Sequence, residues 1–170
     1  LKELESKLPR IIAEFETFRS ELSGFEQIAM LSYFAISFFY LGNLKMSIQY
    51  LNFLRNEYDL GENPEAQYFL NVFYLIVHYD SGHHEILPYL VQSFHRFLRK
   101  KEHVTKIESS MVDLLRRTPK RENNKKYIEE FNAIKKELEN ISHDHTHPYI
   151  SKYFDLNSWL ESKMRNKTFQ

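Results

Sequence analysis

Apolar residues recur every three or four positions along most of this 170-residue chain, the spacing of amphipathic helices. Leu1, Leu4 and Leu8 start that pattern as if in the middle of a helix, as expected of a piece cut from a longer chain. Ile28, Leu31, Phe34, Ala35, Phe38 and Leu41 line one helix, and Leu44, Ile48, Leu51, Leu54 and Tyr58 line the next. Asn63-Pro64-Glu65 predicts a helix start, with Asn63 as cap and Pro64 first, where its missing N–H costs nothing. That helix carries Ala66, Phe69, Leu70, Phe73, Ile76 and Val77; another follows Ser81-Gly82 with Leu87, Leu90, Val91, Phe94, Phe97 and Leu98. Val104, Ile107, Met111, Leu114 and Leu115 predict a shorter helix ending near Thr118-Pro119. Ile128, Phe131, Ile134, Leu138 and Ile141 predict a highly charged one. The last piece covers 148–164, with a step at Asp155, whose side chain can cap the segment that begins at Leu156. No strand-like alternation of useful length occurs, so the expected fold class is all-α.

Glycine punctuates the pattern. Gly24, Gly42, Gly61 and Gly82 are spaced 18, 19 and 21 residues apart, each expected just past a helix end, where positive φ is free of steric strain. The reading is a single domain over 1–170, with helical hairpins at about 25–59 and 63–101 and C-terminal helices at about 103–118, 125–141 and 148–165. The same punctuation answers a membrane question. Residues 27–44 run 18 positions without a charge, close to a bilayer span. Gln27, Ser32, Ser37 and the Gly42-Asn43 break make this a buried helix pair instead.

Aligning Gly42 with Gly82 sets two helix–turn–helix units at a period of 40. The unit 31–54 resembles a tetratricopeptide repeat: Ala35 takes the small position of the first helix, Gly42 the turn, Ser47 the small position of the second helix, and Leu51 and Leu54 the packing positions. The second unit departs from the pattern, because Leu75 and Leu87 replace the small residues and the usual period is about 34. Residues 153–163, together with 89–108, are similar to the C-terminal part of large uncharacterised bacterial helical-repeat proteins. These resemblances imply a short right-handed solenoid of antiparallel hairpins closed by an atypical C-terminal capping helix. They imply a non-catalytic scaffold for a protein or peptide partner. The ligand-clamping Lys and Asn residues of some chaperone-binding members have no counterpart here.

Composition narrows the chemistry. With 42% hydrophobic and 15% aromatic residues the chain is globular and not disordered. Cysteine is absent, which excludes disulfides, thiol nucleophiles, iron–sulfur clusters and cysteine-based zinc motifs. Basic and acidic residues balance at 23 each, yet residues 96–126 carry eleven basic and four acidic groups, so this segment is at +7 and the remainder at −7. Arg96, Arg99, Lys100, Lys101, Lys106, Arg116, Arg117, Lys120, Arg121, Lys125 and Lys126 could follow a phosphate backbone, with Phe94 and Phe97 interleaved at the start. A nucleic-acid-binding module is therefore the alternative reading, although Lys and Arg near helix C-termini need no ligand. Arg96 and Glu108 are expected to pair between neighbouring helices.

The remaining candidates are histidines, carboxylates and aromatics. His143, His145 and His147 alternate around Asp144 and Thr146, a second alternative: a surface metal site in what otherwise reads as a polar loop. His83-His84-Glu85 lacks the second His of a metalloprotease helix and reads as a cap region, and His78 lies on an apolar face as a buried structural histidine. Glu14 with Glu16, and Glu129 with Glu130, lie on polar faces and would need a cleft to shift their pKa values before doing acid–base work, and nothing in the sequence suggests one. No Gly-rich phosphate loop, nucleophile elbow or dinucleotide fingerprint occurs, so neither a cofactor nor an enzyme is expected. Tyr33, Tyr40, Tyr68 and Tyr74 exceed what one core stripe needs and are candidate partner-binding residues. Trp159, the sole tryptophan, is expected to anchor the last helix. No signal peptide is visible in this stretch, which leaves the address of the parent chain open, with the cytoplasm favoured.

Overall fold

Local signals at the helix ends account for where several of the elements begin and stop. The computed structural model describes residues 1–58, 64–98, 112, 115, 125–141, 150 and 153–165. Helix α1 (Lys2–Phe18) runs into a 3-10 turn at Arg19–Glu21, and α2 (Gly24–Tyr40) starts at a capping box. In that box the Ser23 hydroxyl accepts the Glu26 N–H, and the Glu26 carboxylate accepts the Ser23 N–H at 2.8 Å. Gly24 is thus the first residue of α2 and not the residue past the end of α1, a correction to the glycine pattern. The Ser-x-x-Glu box decides the start, and glycine's left-handed freedom is not used there.

Gly42 does use that freedom, with φ 74°. The Asn43 N–H donates to Phe38 C=O and the Gly42 N–H to Phe39 C=O, closing α2 in a Schellman turn. The Asn43 side chain then accepts the Met46 N–H at 3.1 Å and starts α3 (Leu44–Glu57). Helix α4 (Pro64–Asp80) closes the same way: Gly82 has φ 71°, and the His83 N–H reaches back to His78 C=O at 3.0 Å. Helix α5 (Leu87–Leu98) begins later than expected, because residues 83–86 form turns. Pro88 enforces this, since a proline is tolerated in a first helical turn and clashes further in. Helix α6 (Lys125–Ile141) follows, and Asp155 caps α7 (Leu156–Met164) by accepting the Ser158 N–H at 3.0 Å. Among the described residues all regular structure is helical, and no helix is long and apolar enough to cross a membrane. Gly61, Asn63 and the Arg96–Glu108 pair's acidic member lie outside the described residues, as does most of the helix expected at 103–118.

The chain divides into two compact units, Leu1–Leu70 and Asn71–Phe169, the division falling within α4. In the first, α2 and α3 pack as an antiparallel hairpin and α1 packs on α2. Ala35 and Ser47 are both fully buried, and the Ser47 hydroxyl donates to Ala35 C=O at 2.7 Å. Small side chains at this crossing let the two backbones approach. Leu51 and Leu54 have no exposed surface, each burial being favourable by about 1.5–3 kcal/mol. Edge-on rings tie the three helices together: Phe15 meets Phe34 at 5.3 Å, and Phe34 meets Tyr50 at 5.6 Å.

The second unit is organised around Trp159, which is fully buried. Its ring meets Phe131 of α6 at 6.0 Å and Tyr79 of α4 at 6.1 Å, and its indole N–H donates to the Asp80 carboxylate at 3.2 Å. Lys163, one turn further along α7, pairs with the other Asp80 oxygen at 2.6 Å, the two side chains only 14% and 9% exposed. A buried pair of this kind adds little net stability, but removing one member leaves a buried charge at about 3–5 kcal/mol. Lys135 of α6 pairs with Glu161 of α7 at 2.5 Å. Ile150, Phe154, Val112 and Leu115 are buried too, and Phe154 lies against Phe73 at 5.2 Å.

Candidate protein-binding groove

Met46, Gln49, Tyr50 and Phe53 recur at intervals of three and four and so share one face of α3. With Glu16 of α1, Arg19 of the 3-10 turn and Leu31 of α2 they line a cleft of about 230 Å³ in the first unit. That volume is below the usual range for small-molecule pockets, about 300–1,000 Å³, and suits a single large side chain.

Arg19 organises the rim. Its guanidinium carbon stands 4.7 Å from the Phe53 ring centre, and its Nη2 donates to the Tyr58 hydroxyl at 3.0 Å. Nη1 lies 3.6 Å from the Glu16 carboxylate, and Nε donates to Gln27 Oε1 at 3.4 Å. The Tyr58 hydroxyl donates to the same Gln27 oxygen at 2.6 Å, while the Gln27 amide donates to Arg19 C=O and Leu22 C=O at 2.9 Å each. Gln27 therefore staples the 3-10 turn and fixes the arginine above the cleft. The hydrogen bond with Tyr58 foremost, and Glu16 behind it, raise the Arg19 pKa above its ordinary value. Burial, seconded by the Glu16 carboxylate, raises that of Tyr50. Both shifts favour a neutral phenol and a charged guanidinium, groups that donate hydrogen bonds. The cleft offers an apolar floor and a rim of mixed donors and acceptors. It does not align a nucleophile with a base.

The four tyrosines singled out from the sequence do not converge. Tyr33 is 52% exposed on α2, and Tyr40 is half-buried at that helix's end. Tyr68 is only 3% exposed and has almost no surface to offer a partner, a correction: α4 has buried residues on every side, Tyr68, Phe69, Leu70, Val72 and Phe73 among them, so its tyrosine serves the core. Tyr74 belongs to the second unit, half-buried and edge-on to His78 at 4.3 Å. Of the basic residues Arg96 is exposed on α5, whereas Arg99, Lys100, Lys101, Arg116, Arg117, Lys120 and Arg121 lie outside the described residues. His143, His145 and His147 also lie outside them. Among the described residues no three metal-ligating side chains converge. His78 is 4% exposed, as expected of a structural histidine.

Arg19, Gln27 and Phe53 were invisible as site residues in the sequence. Phe15 and Arg19 are four apart across the end of α1 and could have been paired from the sequence, but Tyr58 is 39 residues from Arg19 and only the fold joins them. Comparison of the chain with protein-family models, curated proteins and solved structures finds no match.

Proposed function

We propose that this chain is a non-catalytic helical-repeat scaffold of tetratricopeptide-like type that binds a protein or peptide partner through the α1–α3 groove. In this reading its hairpins form a short right-handed solenoid, and α7 is the atypical helix that closes it. Support for the repeat comes from the α2–α3 hairpin, where Ala35, Gly42 and Ser47 occupy the small-residue and turn positions of that pattern. Support for binding rests on one observation above the others: a cleft sized for one side chain, floored by Leu31, Met46 and Phe53 and rimmed by Glu16, Arg19 and Gln49. Exposed Phe18, Phe25 and Tyr33 add apolar surface to the same unit.

A displayed random-peptide library selected on the intact protein tests this. Selected peptides should bind wild type measurably by calorimetry and lose at least about tenfold, or about 1.4 kcal/mol, on Glu16→Lys and Gln49→Arg, two exposed rim changes. Lys45→Glu, an exposed change at the first turn of α3, is the control. Peptides indifferent to both rim variants would place binding elsewhere and defeat the groove assignment.

A further inference from the structure

Resting on the groove proposed above, we infer that its partner is an extended peptide carrying a single large, uncharged apolar side chain with a Lys or Arg next to it. The apolar side chain enters the cleft, and the cation meets Glu16 at the rim. The size of the cleft argues for the single anchor. At about 230 Å³ it takes one side chain, whereas a helical ligand presents anchors at i, i+3 or i+4 and i+7 and needs a furrow about two turns long. The exposed Tyr33 does not lengthen the cleft, because it stands two positions from Leu31 and so on the other side of α2.

The charges at the rim argue for the cation. Arg19 has little to give: Nη2 is on Tyr58, Nε is on Gln27, and its face lies against Phe53. Glu16 is the reverse. Its side chain is 51% exposed, and its contact with Nη1 of Arg19 is 3.6 Å long, beyond a hydrogen bond. After burial itself, the Glu16 charge is what raises the Tyr50 pKa, so the nearby guanidinium does not cancel it. Glu57, four residues after Phe53 and so on the same face of α3, is exposed and makes no ion pair among the described residues. The cations of α3 are elsewhere, Lys45 at its first turn and Arg55 two positions from Phe53 on another face. Glu16 and Glu57 set against Arg19 leave this end of the groove in excess of negative charge. An acidic neighbour of the anchor adds to that excess, and a Lys or Arg neutralises it.

Gln49 and Tyr50 argue for the extended backbone. Both line the cleft, and neither the Gln49 amide nor the Tyr50 hydroxyl makes a hydrogen bond among the described residues. Once a ligand covers them they need partners. An extended chain brings a free N–H and C=O at each residue, groups that a helix keeps for itself.

The test selects a displayed random-peptide library on the intact protein and adds the recovered peptides, synthesised singly, while the backbone amide NMR signals of Met46, Gln49 and Phe53 are followed. Recovered peptides should share one Leu, Met, Phe or Trp adjacent to Lys or Arg, and exchanging that cation for Glu should weaken binding at least about threefold. On Glu16→Lys the order should reverse, the Glu-flanked peptide binding the variant better than the Lys-flanked one; a merely structural role for Glu16 would lower both alike. A proline one turn from the anchor, which breaks a helical ligand, should change affinity less than about twofold. Peptides that shift these amides yet bind equally well with Lys or Glu, prefer Glu on wild type, or are abolished by the proline would overturn the inference and leave the groove itself standing. Selected peptides that leave the amides unshifted would defeat the groove, and this inference with it.

Discussion

Replacing Trp159 is the sharpest probe of how the second unit holds together. Trp159→Ala removes a fully buried side chain from between Phe131 and Tyr79, a loss of about 3–5 kcal/mol with its cavity. It also takes the indole donor from Asp80, whose side chain is 9% exposed, adding about 1–3 kcal/mol. A total of about 4–8 kcal/mol is as large as the whole stability of a marginal domain. Trp159→Phe separates the two contributions, since it keeps an aromatic ring and loses the N–H, and should lower stability by about 1–3 kcal/mol. Urea unfolding followed by circular dichroism reads both variants, and an unchanged slope confirms that stability itself has moved. Because the chain holds one tryptophan, wild-type fluorescence reports the same site and should be that of a water-excluded indole. A Trp159→Ala midpoint corresponding to a loss under about 1 kcal/mol would refute the anchor, as would wild-type emission from a solvated ring.

Glycine substitutions should split by backbone conformation. Gly82→Ala meets open space but must hold φ 71°, so thermal melts should show a loss of about 1–2 kcal/mol, whereas Gly24→Ala in α2, also in open space, should gain about 0.4–1 kcal/mol. Ser47→Leu should destabilise by about 1–3 kcal/mol in urea titrations through overpacking at the Ala35 crossing, and Ser47→Ala by about 1 kcal/mol through the lost hydroxyl. Hydrogen bonds from Ser23 hold Glu26 below its ordinary carboxylate range. Its contribution is therefore present above the unfolded value of about 4.3 and disappears as pH falls through the lower folded one. Melting midpoints of Glu26→Gln should accordingly change less with pH between roughly 5 and 2 than those of wild type.

Much of the local architecture was legible because its causes are local. The spacing of Leu44, Ile48, Leu51 and Leu54 reports a buried stripe whatever lies opposite, and Asp155 reports a cap because its partner is Ser158 three residues on. Gly42 marks a turn through its own φ. Where two local signals competed, the stronger prevailed: Ser23 and Glu26 claimed Gly24 for a helix start, and Pro88 delayed α5 past the histidines.

Among the described residues the sequence by itself thus determined the helices, many of their ends, and the buried aromatic residue around which the second unit packs. Only tertiary structure decided which side chains meet. Arg19 and Tyr58 are 39 residues apart, and Trp159 and Asp80 are 79 apart. A helical period specifies a face but not what packs against it, so Tyr33 and Tyr68 look alike in sequence although one ends at 52% exposure and the other at 3%. The rotation and crossing of helices set by close contacts such as Ser47 on Ala35 turn a stripe on α3 into the wall of a groove.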